Sequence, residues 1–203
     1  MTPAVPELVG IVRHAKSVGN VAEDEGFLTY PDDQQAAWAY ADALLREQYP
    51  HITNSDWPLV PEGEEEAATL RKRIPARFPD GFDEYYVSTM RRAQETFAIG
   101  LPDRTPKARS PLLNEFRGHS PEDYRRVQEF FDQMCREHSG QRVLVVGHGN
   151  WIKSIVEVPP PCVMIPLSMA WALNEPLANT AITVFHRDTR SARLVLTDYN
   201  VTK

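Results

Sequence analysis

Leu8, Val9, Ile11 and Val12 form a short apolar run that stops abruptly at Arg13-His14, and Val143, Leu144, Val145 and Val146 form a second that stops at Gly147-His148. Runs of this length with almost no polar interruption predict strands covered on both faces. EYYVS, residues 84–88, predicts a shorter strand that is followed closely by Arg91-Arg92. The intervening stretches carry helical signals: QQAAWAYADALLREQY ends before Pro50, the segment from Pro61 has acidic residues in its first turn, and MRRAQETFAIG closes on Gly100. SPEDYRRVQEFFDQMCREH begins on a Ser cap and spaces Tyr124, Val127, Phe130, Phe131 and Met134 along one face, a stripe that predicts core packing. NWIKSIVE predicts a further helix, PPPCVMIP a rigid irregular link, and TAITVFHRDTRSARLVLTDY two late strands joined by a turn. VAEDEGFLTYPDD is a polar, acidic stretch. Strands alternating with helices predict an α/β domain.

Composition adds limits to this pattern. A chain of 203 residues, 42% hydrophobic and 25% charged, is long enough to bury a core as a single domain spanning 1–203 without metal or disulfide staples. Cys135 and Cys162 are too few and too far apart in sequence to form a framework or ligand cluster, and read as buried bystander thiols in a reducing compartment. The start MTPAVPELV lacks a secretory pattern, and no stretch approaches the ~18 apolar residues of a membrane span, so the expectation is a cytoplasmic protein without a membrane partner. A formal net charge of -6 argues against nonspecific nucleic-acid binding, although a locally basic pocket could still hold an anion.

A polar exit from one strand needs no special cause. Two strong strands that both end in histidine are different, because ligand sites in open α/β sheets lie beyond the carboxyl ends of strands. Arg91-Arg92 after the third strand are unexpected at a helix start, where the dipole disfavours cations. Ordered along the chain, RHAKSVGN, DWPLVPEG, STMRRAQET, LNEF and VLVVGHGN are similar to the RHGxSxxN, DxPLTxxG, SxxxRAxQT, LxE and VLVVSHGG motifs of the histidine phosphatase superfamily, also called phosphoglycerate mutase-like. The resemblance spans residues 8 to about 184. It implies a three-layer α/β/α fold with a mostly parallel central sheet.

The resemblance also implies roles. His14 would be the nucleophile, since imidazole is uncharged at neutral pH yet basic enough to attack phosphorus. Arg13, Arg92 and His148 would donate to the phosphoryl oxygens, and Glu115 would be the general acid and later the base. Asn20, Ser17, Gly149 and Arg117 are the expected substrate-binding residues, with His119 beside Arg117 another candidate for contact. No cofactor or metal is implied. His51, His138 and His186 read as surface or edge residues.

Several positions depart from the family's pattern. Ala15 replaces the usual Gly, Val60 the Thr, and Glu66 a common Gln. Gly19 precedes Asn20 where mutases carry Trp. Asn20 and Asp56 stand roughly 36 positions apart, a larger interval than usual, so residues 21–53 read as an inserted lid-like segment in which Phe27, Tyr30, Trp38 and Tyr40 offer apolar surface and Glu23, Asp24 and Glu25 offer acceptors. A helix that merely packs on the core, or on the partner in a homodimer, is the alternative. The functional expectation is a metal-independent phosphomonoesterase acting on a small phosphorylated metabolite. Its alternatives are a phosphoglycerate mutase-type phosphotransferase, a non-catalytic phospholigand-binding protein, and a metallohydrolase, for which no close ligand spacing exists.

Overall fold

The computed structural model describes residues 5–118 and 120–202, so His119 lies outside the described residues. In chain order the elements are β1 (Leu8–Arg13), α1 (Val18–Thr29), α2 (Gln34–Gln48), α3 (Pro61–Arg77), β2 (Glu84–Ser88), α4 (Arg91–Gly100), β3 (Ala108–Ser110), α5 (Pro121–Glu137), β4 (Arg142–Gly147), α6 (Gly149–Glu157), β5 (Val163–Met164), β6 (Ile182–Asp188) and β7 (Arg193–Val201). The strands form one sheet in the order β3-β2-β4-β1-β6-β7-β5. Its left half, through β1, is parallel, while β6 runs antiparallel to both β1 and β7.

Strand alternation builds the two faces. Val9, Ile11, Val143 and Val145 turn toward α5 and α6, whose Phe130, Phe131, Trp151 and Ile155 share one buried cluster with them. Val12, Leu144 and Val146 turn the other way and pack on Leu70 and Ile74 of α3 and Phe97 of α4. The sheet is therefore the middle of three layers, as expected. Among the described residues no helix is long and apolar enough to cross a membrane.

Four readings need correction. The acidic stretch after Asn20, to which the sequence pattern assigned no element, belongs to helix α1; Asn20 stands at its third position and accepts from the backbone N–H of Ser17. Val163–Met164 within PPPCVMIP pair with β7 as a short strand. His138 is buried rather than superficial, because Tyr86 Oη lies 2.6 Å from its Nε2 and Gln141 Oε1 lies 2.7 Å from its Nδ1. Cys135 and Cys162 are free thiols but not isolated, since the buried Cys135 and the half-buried Cys162 line one cavity.

Helices α1 and α2 pack as a hairpin outside the three layers. Gly26 lies so close to Ala37 that any side chain there would meet the Ala37 carbonyl. Val18, Ala22, Ala41 and Leu45 close a small core with Trp57. The indole of Trp57 lies against Gly19, filling space that a side chain at 19 would need.

The PLVPEG stretch clamps the loop that follows β1. Val60 N–H donates to the Lys16 carbonyl at 3.1 Å, and Glu66 Oε2 accepts from Lys16 N–H at 2.9 Å. Gly63 faces the same carbonyl with no room for a side chain. Gly63→Ala should therefore overpack this contact and lower stability by about 1–3 kcal/mol. Gly118→Ala, where the nearest atom to a new Cβ is the Asp123 carboxylate at 3.8 Å, should stay within about 0.5 kcal/mol of the parent. Urea titrations of the two variants provide the comparison.

Candidate active site

The parallel β1–β4 register sets Arg13 opposite Gly147, so His14 and His148 leave neighbouring strand ends side by side. Their ring centroids are 5.0 Å apart at 60°, and both side chains are buried. His14 N–H donates to the Gly147 carbonyl at 2.9 Å, which ties the two ends together. His14 Nδ1 lies 2.7 Å from the Ala15 carbonyl. That oxygen can only accept, so the ring proton sits on Nδ1 and the lone pair on Nε2. Burial first, then Arg92 and Arg13, holds the His14 pKa well below its ordinary value.

Arg92 donates from Nε to His14 Nε2 at 3.2 Å. Its Nη1 donates to the Asn54 carbonyl at 2.7 Å, its Nη2 lies 3.2 Å from Met90 Sδ, and the guanidinium sits 5.7 Å from the Trp57 ring. Burial lowers its pKa to about 10, which leaves it charged at neutral pH. Arg13 donates from Nη1 to the Leu177 carbonyl, and its Nε is a buried donor with no partner among the described residues. Gly149 lines the same wall, and a Cβ there would crowd Arg13 Nε at 3.2 Å. Its bareness lets Arg13 pass.

His148 is held from behind. Ser88 gives its hydroxyl proton to Asn114 Oδ1 at 2.7 Å, so at 2.7 Å from His148 Nε2 its oxygen accepts. His148 Nδ1 is then a bare, buried nitrogen without a partner among the described residues. Burial, followed by His14 and the two arginines, pushes its pKa well down.

Glu115 meets the start of α6. Its Oε2 accepts from Asn150 N–H and its Oε1 from Trp151 N–H, both at 3.3 Å, and Oε1 also accepts from Phe116 N–H at 3.1 Å. These donors and Arg92 favour the carboxylate, but burial outweighs them and raises its pKa. Glu23 of α1 is raised by burial as well, against the pull of Arg117.

A cavity of about 180 Å³ joins these groups. It is lined by His14, Arg13, Arg92, Glu115, Ser17, Asn20, Gly149 and Arg117, all expected from the sequence. His148 adjoins it through His14 but is not on its surface. The Ser17 hydroxyl is spent on Asn20 Oδ1 at 3.1 Å, which makes it a support for Asn20. The lining also contains Glu23, one of the acceptors expected from the 21–53 segment, together with Asn54, Trp57, Asn150 and Lys153, to which the sequence assigned no role. Trp57 sits inside the DWPLVPEG motif and Asn150 ends VLVVGHGN, so both were within reach of the motif reading; Asn54 and Lys153 carry no such signal. Phe27, Tyr30, Trp38 and Tyr40 are not in the lining, and Trp57 is its aromatic wall. Asp56 is exposed and bonded to Thr53, outside the cavity. Among the described residues no group of three or more His, Cys, Asp or Glu side chains is placed to hold a metal ion.

Residues 43–119 and 103–200 match the family described as histidine phosphatase superfamily (branch 1). No curated protein matches the chain. Among solved structures, a phosphoserine phosphatase mutant from Entamoeba histolytica, in complex with phosphoserine, is 18% identical with a TM-score of 0.63 over 97% of this chain and 98% of that one. A putative α-ribazole-5′-P phosphatase from Escherichia coli is 17% identical with a TM-score of 0.64, covering 96% and 97%. The putative phosphohistidine phosphatase SixA from Agrobacterium tumefaciens is 18% identical with a TM-score of 0.59, covering 96% and 97%. At such identities the likeness is one of fold, and it is the match of 43–119 and 103–200 that places the chain: it belongs to the histidine phosphatase superfamily, branch 1.

Proposed function

We propose that the protein is a phosphomonoesterase that hydrolyses a small phosphorylated metabolite through a phosphohistidine at His14, with no metal in the reaction. The observation that carries this reading is the state of His14: a neutral ring whose Nδ1 proton is committed to Ala15, leaving the Nε2 lone pair beside Arg92 in a cation-lined cavity. The names of the three structural neighbours, all phosphatases, are in keeping with it.

In this reading the Nε2 lone pair attacks phosphorus and the bond to the leaving oxygen breaks as Glu115 delivers its proton there. Glu115, now a carboxylate, takes a proton from water; the resulting hydroxide oxygen attacks phosphorus, the P–N bond breaks, and phosphate leaves. Arg13 and Arg92 donate to the phosphoryl oxygens throughout, with Asn20 beside them. His148 takes a proton at Nδ1 when the phosphoryl dianion arrives, because that charge offsets the burial that otherwise keeps it neutral. The imidazolium, its ring centroid 5.0 Å from that of His14 and off the cavity surface, then adds positive charge behind the nucleophile. Residues 21–53 serve as the wall on the alcohol side, through Glu23 and through Asn54 just beyond.

Two outcomes test this. His14→Ala should abolish turnover with the fold intact, and rapid quench of the parent with labelled substrate should give an acid-labile, alkali-stable adduct; full activity in the variant would end the assignment. The second concerns pH. With ordinary values the carboxyl ionises near 4.3 before imidazole loses its proton near 6.5, so a neutral His beside a protonated Glu would be a minor form at every pH. Here His14 is lowered and Glu115 raised, which moves that productive form toward dominance on the acid side of neutrality. For alkyl phosphates kcat/KM should therefore fall as pH rises through the Glu115 ionisation. Glu115→Gln should remove that limb and slow alkyl esters by about 100- to 10,000-fold, while p-nitrophenyl phosphate, whose leaving group hardly needs a proton, is slowed far less. Equal slowing of both would move the acid role elsewhere.

A further inference from the structure

The alcohol side of the cavity contains an arrangement that phosphate chemistry leaves unused. Arg117, two residues after the acid, is fixed by Asp42 of α2, both of whose carboxylate oxygens accept from its Nη1 at 2.8 Å. Its other terminal nitrogen, Nη2, is buried and has no hydrogen-bond partner among the described residues. Glu23 Oε1 of α1 lies 3.7 Å from it, an ion-pair distance but beyond hydrogen-bond reach. Both side chains line the cavity; Asp42 does not.

A donor and an acceptor thus face one space, each held short of the other. An atom placed about 2.8 Å from both would complete two hydrogen bonds. It would have to accept from Arg117 Nη2–H and donate to Glu23 Oε1 at once. A neutral hydroxyl does both. A carboxylate or second phosphate could only accept and would be repelled by Glu23, and an ammonium could only donate and would be repelled by Arg117. Glu115, Arg13 and Arg92 line the same cavity, so the gap opens beside the phosphate-binding groups.

We infer that Glu23 and Arg117 select substrates whose leaving alcohol carries a second, neutral hydroxyl, a polyol or sugar phosphate, with that hydroxyl bridging Glu23 Oε1 and Arg117 Nη2. Asp42 is the positioning residue, acting only through Arg117. The inference rests on the phosphomonoesterase reading and goes beyond it by naming the alcohol. A site built to hydrogen-bond a hydroxyl rejects the analogue lacking it, because both protein groups are then left unpaired.

The test compares glycerol 3-phosphate with propyl phosphate, which lacks the hydroxyls, and with 3-phosphoglycerate and O-phosphoethanolamine, alongside p-nitrophenyl phosphate. In the parent protein kcat/KM should favour glycerol 3-phosphate over each of the other three alkyl esters by at least about 10-fold. In Glu23→Leu the ratio of glycerol 3-phosphate to propyl phosphate should collapse toward the intrinsic difference in leaving group, read from the same ratio in Arg117→Met. Asp42→Asn, which leaves the lining residues in place, should reduce the ratio mainly by raising KM for glycerol 3-phosphate; thermal melts identify any variant that has lost its fold. A parent that turns over p-nitrophenyl phosphate but does not distinguish propyl phosphate overturns the inference alone. A preference for 3-phosphoglycerate, read by Arg117 or Lys153, or for O-phosphoethanolamine, read by Glu23, also overturns it. Equal loss on all four alkyl esters in a folded Glu23→Leu reduces Glu23 to a structural partner of Arg117 and overturns it too. A parent inactive on every ester, p-nitrophenyl phosphate included, overturns the phosphatase reading and this inference together.

Discussion

The hydrogen bond from Arg92 Nε to His14 Nε2 constrains everything around it. A permanent cation placed against a ring nitrogen makes protonation of that nitrogen costly, and burial makes it costlier still. The imidazole is kept as a base aimed at the cavity, and the same guanidinium stands ready for the anion the base would attack. Arg13, Arg92, Arg117 and Lys153 line this cavity, with Glu115 and Glu23 the only carboxylates on its wall among the described residues. Such an excess of positive charge is tolerable because a phosphoryl dianion can balance it, and because each cation is tethered by its remaining donors: Arg92 to Asn54, Arg13 to Leu177.

Holding that geometry takes more structure than the cavity itself displays. Ala15 N–H donates to Thr96 Oγ1 at 2.9 Å, and the same hydroxyl donates to the Arg92 carbonyl at 2.7 Å, so one threonine joins the loop after β1 to the helix carrying Arg92. Lys16 is gripped from both sides by the start of α3. Thr180 takes a left-handed φ of 53°, unusual for a β-branched residue, with its N–H bonded to the Arg13 carbonyl at 3.1 Å and its own carbonyl and hydroxyl receiving Arg73. The nucleophile's loop is thereby determined by three elements far apart in sequence.

What could be read from the residues alone follows a physical division. The two buried strands and their polar ends were legible because covered strands leave long apolar runs, and Arg92 and Glu115 because they sit in short contiguous strings whose order is specific. Helix α1 was not, since its buried positions Val18, Gly19, Ala22 and Gly26 are small and its exposed face is acidic, which leaves almost no apolar periodicity to detect. His138 looked superficial because its partners, Tyr86 and Gln141, come from a strand and a turn that only the fold brings together. Asn54 and Asp42 belong to the same class: each matters through a residue more than thirty positions away, Asn54 through Arg92 and Asp42 through Arg117. Pattern along one segment cannot report such pairings.

The α1–α2 hairpin is tied to the site at its base and exposed at its tip. Asn20 braces Ser17 at one end, Asn54 holds Arg92 at the other, and the turn between the helices, residues 30–33, is exposed. Length can therefore be added or lost at the tip without disturbing the base, whereas the same change near either end would displace a phosphate-facing group. Descent with modification would therefore run in one direction here: lengthening, trimming or recharging the outer turns of the hairpin would cost little, while any change to the footing that carries Asn20 and Asn54 would be selected against.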